Sequence, residues 1–482
     1  MHLPLTTTTE DGPVCDTRST FNATMESLAN VNGLVFTLVM CVLMVVLPRR
    51  YALVPVVIVM CFMTMGQAVL VMGLHFSMIR ILALFGWTRL LLRREIRSLK
   101  LNAIDKAVIW WVISSVVINA LLWQTSDALI NRLGLAYNAA GMYFLFRYLL
   151  RNDLEDIIRV FKITAVLVIP LAVLMVMEKM SGRNMFAVFG GVDPVTALRD
   201  GVLRCQGPFQ HPILAGTFGA TLLPLFIALW QQGRGNRLLA FLGILSSAVI
   251  TVTSGSSGPI LASLAGVAAV CAWPLRQHFR VVLAGVLLVL ITLQVVMKAP
   301  VWFLMARMDV FSGSTGFHRA LVMDQAIAHF FDWWLLGTKS VESWGEALHG
   351  DITNEYVWQA INGGLLTLIL FIVIIVRCFR KIGRVQALKD QALLARRCIW
   401  GMGAALFAHV VTFFSVQYFD QNFVNWYLLL AFISVATSRR ISIRFREPIE
   451  TSGILAPLNM GLDAVISTSY GSPTSRNLAA RS

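Results

Sequence analysis

Apolar stretches about as long as a bilayer is thick recur along almost the whole chain. A spanning helix needs about 20 mostly apolar residues, and roughly twelve or thirteen such stretches lie between residues 31 and 437. The 482 residues are 57% hydrophobic and only 13% charged, with a mean hydropathy of +0.72, which is unusual for a soluble globular protein. The sequence therefore predicts an all-α, polytopic membrane protein with about 12–13 transmembrane helices.

The transmembrane domain is predicted to cover residues 31–437. Residues 52–72 are predicted to cross the membrane as one helix. Residues 74–92 contain His75, Arg80 and Arg89, so they either span the membrane or lie along its surface as an amphipathic helix. The polar N-terminal residues 1–30 and the C-terminal residues 438–482 lack apolar periodicity and are predicted to be disordered tails.

Basic residues indicate which side of the membrane each loop faces, because Lys and Arg in short loops stay in the cytoplasm. Residues 377–397 and the segment after residue 437 are rich in Arg and are predicted to be cytoplasmic. Alternation of the spans then places residues 178–211, 254–258 and 298–355 outside, the last of these as one long loop in which acidic residues outnumber basic ones. The net charge of +15 is explained by cytoplasmic loops beside anionic membrane lipids and requires no nucleic-acid partner.

The chain contains no obvious metal or disulfide framework. Its seven cysteines are scattered without a CxxC pair or metal-ligand spacing, so structural zinc and disulfides are not expected.

The first polar stretch in an external loop is RCQGPFQHPILAG, residues 204–216. Pro208 and Pro212 interrupt helical structure, so the chain is expected to enter the bilayer edge irregularly. Arg204 either extends toward the headgroups with His211 capping the helix, or it binds an anion, because a guanidinium grips phosphate oxygens in two places. Gln206 and His211 are candidate binding residues in the second interpretation.

Two further external stretches contain candidate ligands for an anion or a sugar. TSGSSGP, residues 253–259, is either a tight turn between packed helices or a binding turn in which Ser256 and Ser257 offer hydroxyls. In the long loop, apolar residues recur at helical spacing over 318–334, which predicts a helix along the outer surface. Arg307 and Arg319 in this loop either reach a membrane-embedded pyrophosphate or pair with nearby aspartates.

The fourth stretch, LHGDITNEYVWQAINGGLLTL, ends the long loop and opens a span. It places His349, Asp351, Asn354 and Tyr356 at the predicted outer end of a helix. Asp351 is either part of a helix N-cap or a general base for an attacking hydroxyl. We favour Asp351 over His349 as the base because its spacing to the helix start is better defined.

Together these motifs resemble those of the O-antigen ligase and O-antigen polymerase superfamily of bacterial inner-membrane proteins. The similarity extends over about residues 30–437 and is most distinctive at residues 204–216, 253–259 and 307–364. The resemblance implies a GT-C-like fold and transfer of glycans from an undecaprenyl-diphosphate carrier to a glycan acceptor, at the external face, without a metal or other cofactor. It implies that Arg204 holds the donor pyrophosphate, that the end of the long loop supplies the base, and that Asn354 and Tyr356 bind substrate.

The chain departs from the ligase pattern at two places. Ligases commonly have an arginine in the Ser/Gly turn, where this chain has Ser256, Ser257 and Gly258, so one phosphate contact must come from elsewhere, with Arg307 and Arg319 as the candidates. They also commonly have histidine before the asparagine, whereas Thr353 precedes Asn354 here. These differences weaken an assignment to the ligases and favour a polymerase-like or a less characterised branch. A transporter or flippase of lipid-linked oligosaccharide is the alternative function, since it would also have many spans and arginines facing a cavity.

Overall fold

A computed structural model describes residues 27–71, 74–96, 98–150, 153–199, 201–307, 315–345, 352–388 and 391–438. It is 76% helical, which confirms the nearly all-α prediction. The predicted N-terminal tail up to residue 26 and the C-terminal tail from residue 439 lie outside the described residues.

The strands are short and lie in two small sheets. They are β1 (Ser27–Leu28), β2 (Gln67–Val71), β3 (Leu74–Ser77), β4 (Ala197–Arg199) and β5 (Val202–Arg204). The helices of the first half are α1 (Val31–Val46), α2 (Val54–Phe62), α3 (Met78–Leu92), α4 (Ala103–Trp123), α5 (Ser126–Ala136), α6 (Met142–Leu149), α7 (Leu154–Ser181) and α8 (Pro212–Trp230). Those of the second half are α9 (Arg237–Thr253), α10 (Ser257–Cys271), α11 (Phe279–Val296), α12 (Thr315–Ala328), α13 (Phe330–Trp333), α14 (Glu355–Ala387), α15 (Leu393–Thr412) and α16 (Gln421–Ala436).

Five helices of the described chain are long and apolar enough to cross a membrane. They are Ala103–Trp123, Leu154–Ser181, Pro212–Trp230, Arg234–Thr253 and Glu355–Ala387. Shorter apolar helices are Val31–Val46, Ser257–Cys271, Ala284–Val296 and Gln421–Ala436. Helices of this length and composition agree with a membrane protein.

The prediction that residues 52–72 form one spanning helix is wrong. Helix α2 ends at Phe62, the backbone of Met63 is extended, and β2 follows. Strand β2 pairs parallel with β1 and antiparallel with β3, so its backbone groups bond across the sheet instead of along a helix. The Gln67 side chain adds to this arrangement, because its Nε2 donates to Thr64 Oγ1 at 2.8 Å and to the Phe189 carbonyl at 2.7 Å.

The segment 74–92 begins as strand β3 and becomes helical only at Met78. Arg89 in this helix is fully buried. Its Nη1 donates to the carbonyl oxygens of Met44 and Leu47 at 2.6 and 2.7 Å, and its Nη2 forms a 3.1 Å ion pair with Glu95. These carbonyls end helix α1, so Arg89 fastens α3 to α1. The contacts favour a packed helix over one lying separately in the membrane surface.

Helices α8 and α16 form the centre of the bundle. Nearly every residue of both is buried, as expected for helices that are apolar on all sides. Helix α8 packs against α9, α10 and α15. A Cβ atom at Gly219 of α8 would lie 2.7 Å from the Ser247 carbonyl oxygen of α9, so glycine permits this close helix contact.

Helix α14 is interrupted at Gly364, whose φ of 65° lies in the left-handed region. The backbone groups released there bond to the chain that follows α13: Leu365 N donates to Trp334 O at 2.8 Å, and Thr338 N donates to Ile361 O at 2.9 Å. Arg132 Nη2 donates to Asn362 O at 3.1 Å. The Gly-Gly pair of the INGG sequence is thus the site where residues 334–338 join the bundle.

Replacing Gly364 with alanine is expected to lower the free energy of unfolding by about 3 kcal/mol or more. An alanine at this position would have to keep the left-handed backbone conformation, which is strained for any residue with a side chain. Its Cβ atom would also lie 2.4 Å from the Leu335 carbonyl oxygen. Gly383→Ala is the matched control on the same helix, since a Cβ atom there meets no atom within 4 Å, and a change within about 1 kcal/mol is expected. Unfolding in mixed detergent micelles measures the free energy of unfolding of both variants. Equal stability of the two variants would mean that the helix break does not require glycine at position 364.

Candidate functional site

The stretch 204–216 connects strand β5 to helix α8 without an intervening helix, which confirms the predicted irregular entry. The His211 side chain caps α8, where its Nδ1 accepts from the Ile213 backbone N–H at 3.2 Å, and Pro212 occupies the first helical position. The backbone preceding the cap is held by distant polar side chains. Gln421 Nε2 donates to the Pro208 carbonyl at 3.0 Å.

Glu178, near the end of α7, holds the backbone of this stretch in place through hydrogen bonds. Its carboxylate is buried and accepts the backbone N–H of Gln206 at 3.0 Å and that of Gly207 at 2.9 Å, together with the Thr196 hydroxyl at 3.3 Å. Two backbone donors on one carboxylate fix the local chain direction. Glu178 therefore positions the residues that immediately follow Arg204.

Glu178→Gln is expected to destabilise the protein by about 1–3 kcal/mol, because the amide NH₂ cannot accept the second buried backbone N–H. Glu155→Gln is a matched control on the same helix, since Glu155 is exposed, and its cost should stay within about 1 kcal/mol. The unfolding midpoint of each purified variant in detergent measures the difference. A Glu178→Gln variant as stable as the control would mean that the carboxylate does not hold the loop.

Arg204 lies against the Ser/Gly turn between α9 and α10. Its Nη2 donates to Ser256 Oγ at 2.7 Å, and the neighbouring Cys205 N–H donates to the Thr253 carbonyl at 3.1 Å. A Cβ atom at Gly255 would lie 3.1 Å from Arg204 Cγ, so the absence of a side chain leaves room for the arginine stem. Residues 253–259 thus form the predicted tight turn between two helices, with Ser256 as the residue preceding α10.

Arg319 approaches the same turn from helix α12. A Cβ atom at Gly258 would lie 3.7 Å from Arg319 Nη2 and 2.9 Å from Ser415 Oγ. The Arg319 side chain is buried. The turn therefore has Arg204 beside Ser256 and Arg319 beside Gly258, so the structure brings these two sequence-predicted arginines together, along with Ser256 and Ser257.

The predicted surface helix 318–334 is present as two helices, α12 and α13, which meet at His329. Val322 and Ala326, which share one face of α12, are buried, whereas Phe317, Ile327 and Phe331 are exposed. Arg307 ends a short 3-10 helix, Val301–Arg307, and its side chain lies outside what the structure describes.

Asn354 and Tyr356 have structural contacts in the described residues. Asn354 caps α14, where its Oδ1 accepts from the backbone N–H of Tyr356 and of Val357 at 2.9 and 3.1 Å. The Asn354 Nδ2 donates to the Phe414 carbonyl at 3.4 Å, which places the start of α14 next to Ser415 and hence near the Ser/Gly turn. The Tyr356 hydroxyl donates to the Val410 carbonyl at 3.2 Å. Asp351 and His349 lie outside the described residues.

Glu355, the next residue, is completely buried. Its Oε2 accepts the Tyr418 backbone N–H and its Oε1 accepts the Gln359 Nε2, each at 2.8 Å. Glu355 therefore ties the start of α14 to the segment between α15 and α16. We assigned Glu355 no role from the sequence, although a carboxylate in an apolar helix is itself a reason to expect a bonded partner.

His211 lies beside a concentration of positive charge. Part of its surface is exposed, but surrounding protein and the guanidinium groups of Arg204 and Arg199 lower the pKa of His211 from its usual 6.5 to about 4. The ring is therefore neutral at physiological pH, which agrees with Nδ1 acting as a hydrogen-bond acceptor. Neighbouring guanidiniums that disfavour a further positive charge would favour a negative ligand.

Neither Arg199 nor Glu178 was among the site residues predicted from the sequence. The Asp-Gly dipeptide after Arg199 is a hairpin signal that would have paired the segments containing Arg199 and Arg204. Glu178 is an acidic residue at the end of an apolar stretch, which is itself a reason to expect a bonded partner.

No model of a known protein family matches this chain, and a search of curated proteins finds no match. The function of this chain therefore has to be inferred from the residues that the fold brings together.

Proposed function

We propose that this protein is a bacterial inner-membrane glycosyltransferase of the O-antigen polymerase or ligase type. In this proposal about 12–13 spans form a GT-C-like fold, and residues 298–355 form the external loop above the site. The enzyme transfers a glycan from an undecaprenyl-diphosphate carrier to a glycan acceptor at the outer face of the membrane. The observation that supports it most is the position of Arg204 and Arg319 on one turn, Ser256 to Gly258.

The arginines suit the chemistry of a diphosphate leaving group. As the acceptor hydroxyl oxygen forms a bond to the anomeric carbon, the bond from that carbon to the diphosphate oxygen breaks, and negative charge grows on the diphosphate. Guanidiniums placed there in advance stabilise that charge, and their planar shape suits two phosphate oxygens at once. The burial of Arg319 would strengthen its interaction with the diphosphate, because a low-dielectric environment screens charge less than water does.

The Ser/Gly turn supplies hydroxyls and space at the same point. Ser256 Oγ is already bonded to Arg204, so the serine keeps the guanidinium oriented. Ser257 and Gln206 are further candidates for contact with the donor, and His211, neutral beside the arginines, offers a hydrogen-bonding ring. Asn354 fixes the start of α14, which follows Asp351 in sequence.

In the proposed reaction, Asp351 accepts the proton of the attacking acceptor hydroxyl, and His349 is the second candidate for that role. The closeness of Asp351 to Asn354 in sequence supports Asp351 as the base, since Asn354 contacts the Phe414 carbonyl beside Ser415. The attack requires the hydroxyl, the anomeric carbon and the leaving oxygen to be aligned. Arg307 remains a candidate for a further phosphate contact.

A transporter or flippase of lipid-linked oligosaccharide is the second candidate function. The interruption of α14 at Gly364 favours it, since transporters often bind substrate at broken helices. The released backbone groups at this break are bonded to residues 334–338 and to Arg132, however, which fits a structural joint better than an open binding site.

Proteoliposomes separate the two functions. Purified protein receives fluorescently labelled, prenyl-diphosphate-linked glycan in the leaflet corresponding to the external face, with unlabelled acceptor. The proposal predicts a labelled product of higher mass together with released prenyl diphosphate. Movement of label to the opposite leaflet without a new glycosidic bond would make the protein a transporter. The absence of both activities would reject both functions.

A further inference from the structure

Strands β4 and β5 form a two-stranded hairpin in which Arg199 and Arg204 share one face. The hairpin pairs Ala197 with Arg204 and Arg199 with Val202. Residues directly opposite each other in an antiparallel pair have side chains on the same side, and so do residues two apart in a strand. Ala197, Arg199, Val202 and Arg204 therefore form one face of the hairpin.

That face is turned toward the Ser/Gly turn. A Cβ atom at Gly255 would lie 3.6 Å from Val202 Cγ1 and 3.1 Å from Arg204 Cγ. Arg199, directly opposite Val202, is therefore next to the same turn. The proximity of both guanidiniums to His211, which caps α8, agrees with this placement.

The hairpin is held firmly at both ends. An isolated bridge joins Arg183 to Val195 before it, and Lys179 Nζ donates to the Leu203 carbonyl within it. Directly after it, the Glu178 carboxylate accepts the N–H groups of Gln206 and Gly207. A hairpin fixed in this way presents its two arginines in a defined relation, which lowers the entropic cost of binding a ligand between them.

We infer that Arg199 is an additional anion-binding residue, and that the hairpin uses Arg199 and Arg204 to recognise a diphosphate in preference to a monophosphate. The inference rests on the proposed function for the identity of the donor. A monophosphate presents one group that a single guanidinium can grip, whereas a diphosphate presents two linked groups that need cations at two points. Arg204 beside Ser256 holds one phosphate, and Arg199, further along the hairpin, holds the other.

Binding of simple prenyl phosphates tests the role of Arg199 apart from turnover. Farnesyl diphosphate, farnesyl monophosphate and inorganic pyrophosphate are titrated separately into full-length protein in lipid nanodiscs. For wild type, farnesyl diphosphate should bind at least about tenfold more tightly than the monophosphate, since a charge-assisted contact contributes about that factor. Arg199→Gln should weaken the binding of farnesyl diphosphate by about tenfold or more and change the affinity for the monophosphate by less than about threefold.

Arg183→Gln is the matched control, because the Arg183 side chain is exposed in the same connection between α7 and β4 and its bridge to Val195 is a backbone pairing that the substitution keeps. It removes the same charge and should leave the affinity for each compound within about twofold. Arg199→Lys keeps the charge and should recover part of the diphosphate affinity, which separates a binding role from misfolding of the hairpin. Comparison with inorganic pyrophosphate distinguishes a lipid-linked ligand from a free one, since only the former gains from the prenyl chain.

The outcomes separate this inference from the proposed function. If wild type prefers the diphosphate and Arg199→Gln keeps that preference, Arg199 does not bind it, while the proposed donor stands. If Arg199→Gln weakened the binding of both farnesyl compounds equally, the selective role of Arg199 would likewise be wrong. If wild type binds neither farnesyl compound, both the inference and the proposed donor fail.

Discussion

Replacing Asp351 with asparagine is expected to reduce the rate of glycosidic bond formation by about 100- to 10,000-fold, the usual contribution of a general base. Asparagine retains the shape of the side chain but cannot accept the proton of the acceptor hydroxyl. The expected loss lies in turnover, with the affinity for the donor little changed, because the base contacts the acceptor. Initial rates in proteoliposomes, measured over a range of donor concentrations, separate these two quantities.

Asp332→Asn is the matched control for Asp351→Asn. Asp332 is an exposed carboxylate of the same long loop, and it is bonded to His329 at 2.9 Å, so its loss should change the rate by less than about twofold. A fully active Asp351→Asn variant would remove Asp351 from the base role. If His349→Asn alone then abolished turnover, the base would be the histidine.

Replacing Arg204 with alanine is expected to reduce turnover by about 100- to 1,000-fold, comparable to loss of one preorganised donor at a developing negative charge. Arg204→Lys should also be impaired, because an ammonium cannot bond Ser256 Oγ and a phosphate through one rigid plane. The lysine variant should require a higher donor concentration for half-maximal rate. These measurements use the same vesicle assay, with the donor concentration varied.

The control for Arg204→Lys is Arg234→Lys, an exposed position in the short turn before α9. It makes the same chemical change at the opposite end of α9 from the Ser/Gly turn and should keep wild-type kinetics. An Arg204→Lys variant with unaltered dependence on donor concentration would show that the planar guanidinium does not bind the donor.

Local sequence signals predicted the parts of the site that depend on neighbouring residues. Pro208 and Pro212 predicted the irregular entry to α8, and the small residues after Thr253 predicted the turn before α10. Both follow from backbone restrictions that act over a few residues. Helical spacing likewise predicted the helices of residues 318–334, although it did not reveal the break at His329.

Features that depend on distant partners were not predictable in this way. Residues 52–72 are apolar enough to span a membrane, yet Gln67 bonds to the carbonyl of Phe189, far along the chain, and the segment becomes a strand. The break at Gly364 depends on Trp334 and Thr338 supplying backbone partners. The shared position of Arg204 and Arg319 similarly depends on tertiary packing, which no spacing in the sequence encodes.

The proposed binding of one diphosphate by both Arg204 and Arg319 is tested most directly by a double-mutant cycle on the rate of glycosidic bond formation. Arg204→Ala, Arg319→Ala and the double variant are compared with wild type at subsaturating donor, after each is shown to insert and fold in the same vesicles. If both guanidiniums bind one leaving group, the double variant should lose less than the product of the two single losses, by about 0.5–3 kcal/mol. Losses that multiply to within about 0.5 kcal/mol would mean that the two arginines act at separate places, and the proposed site would be wrong.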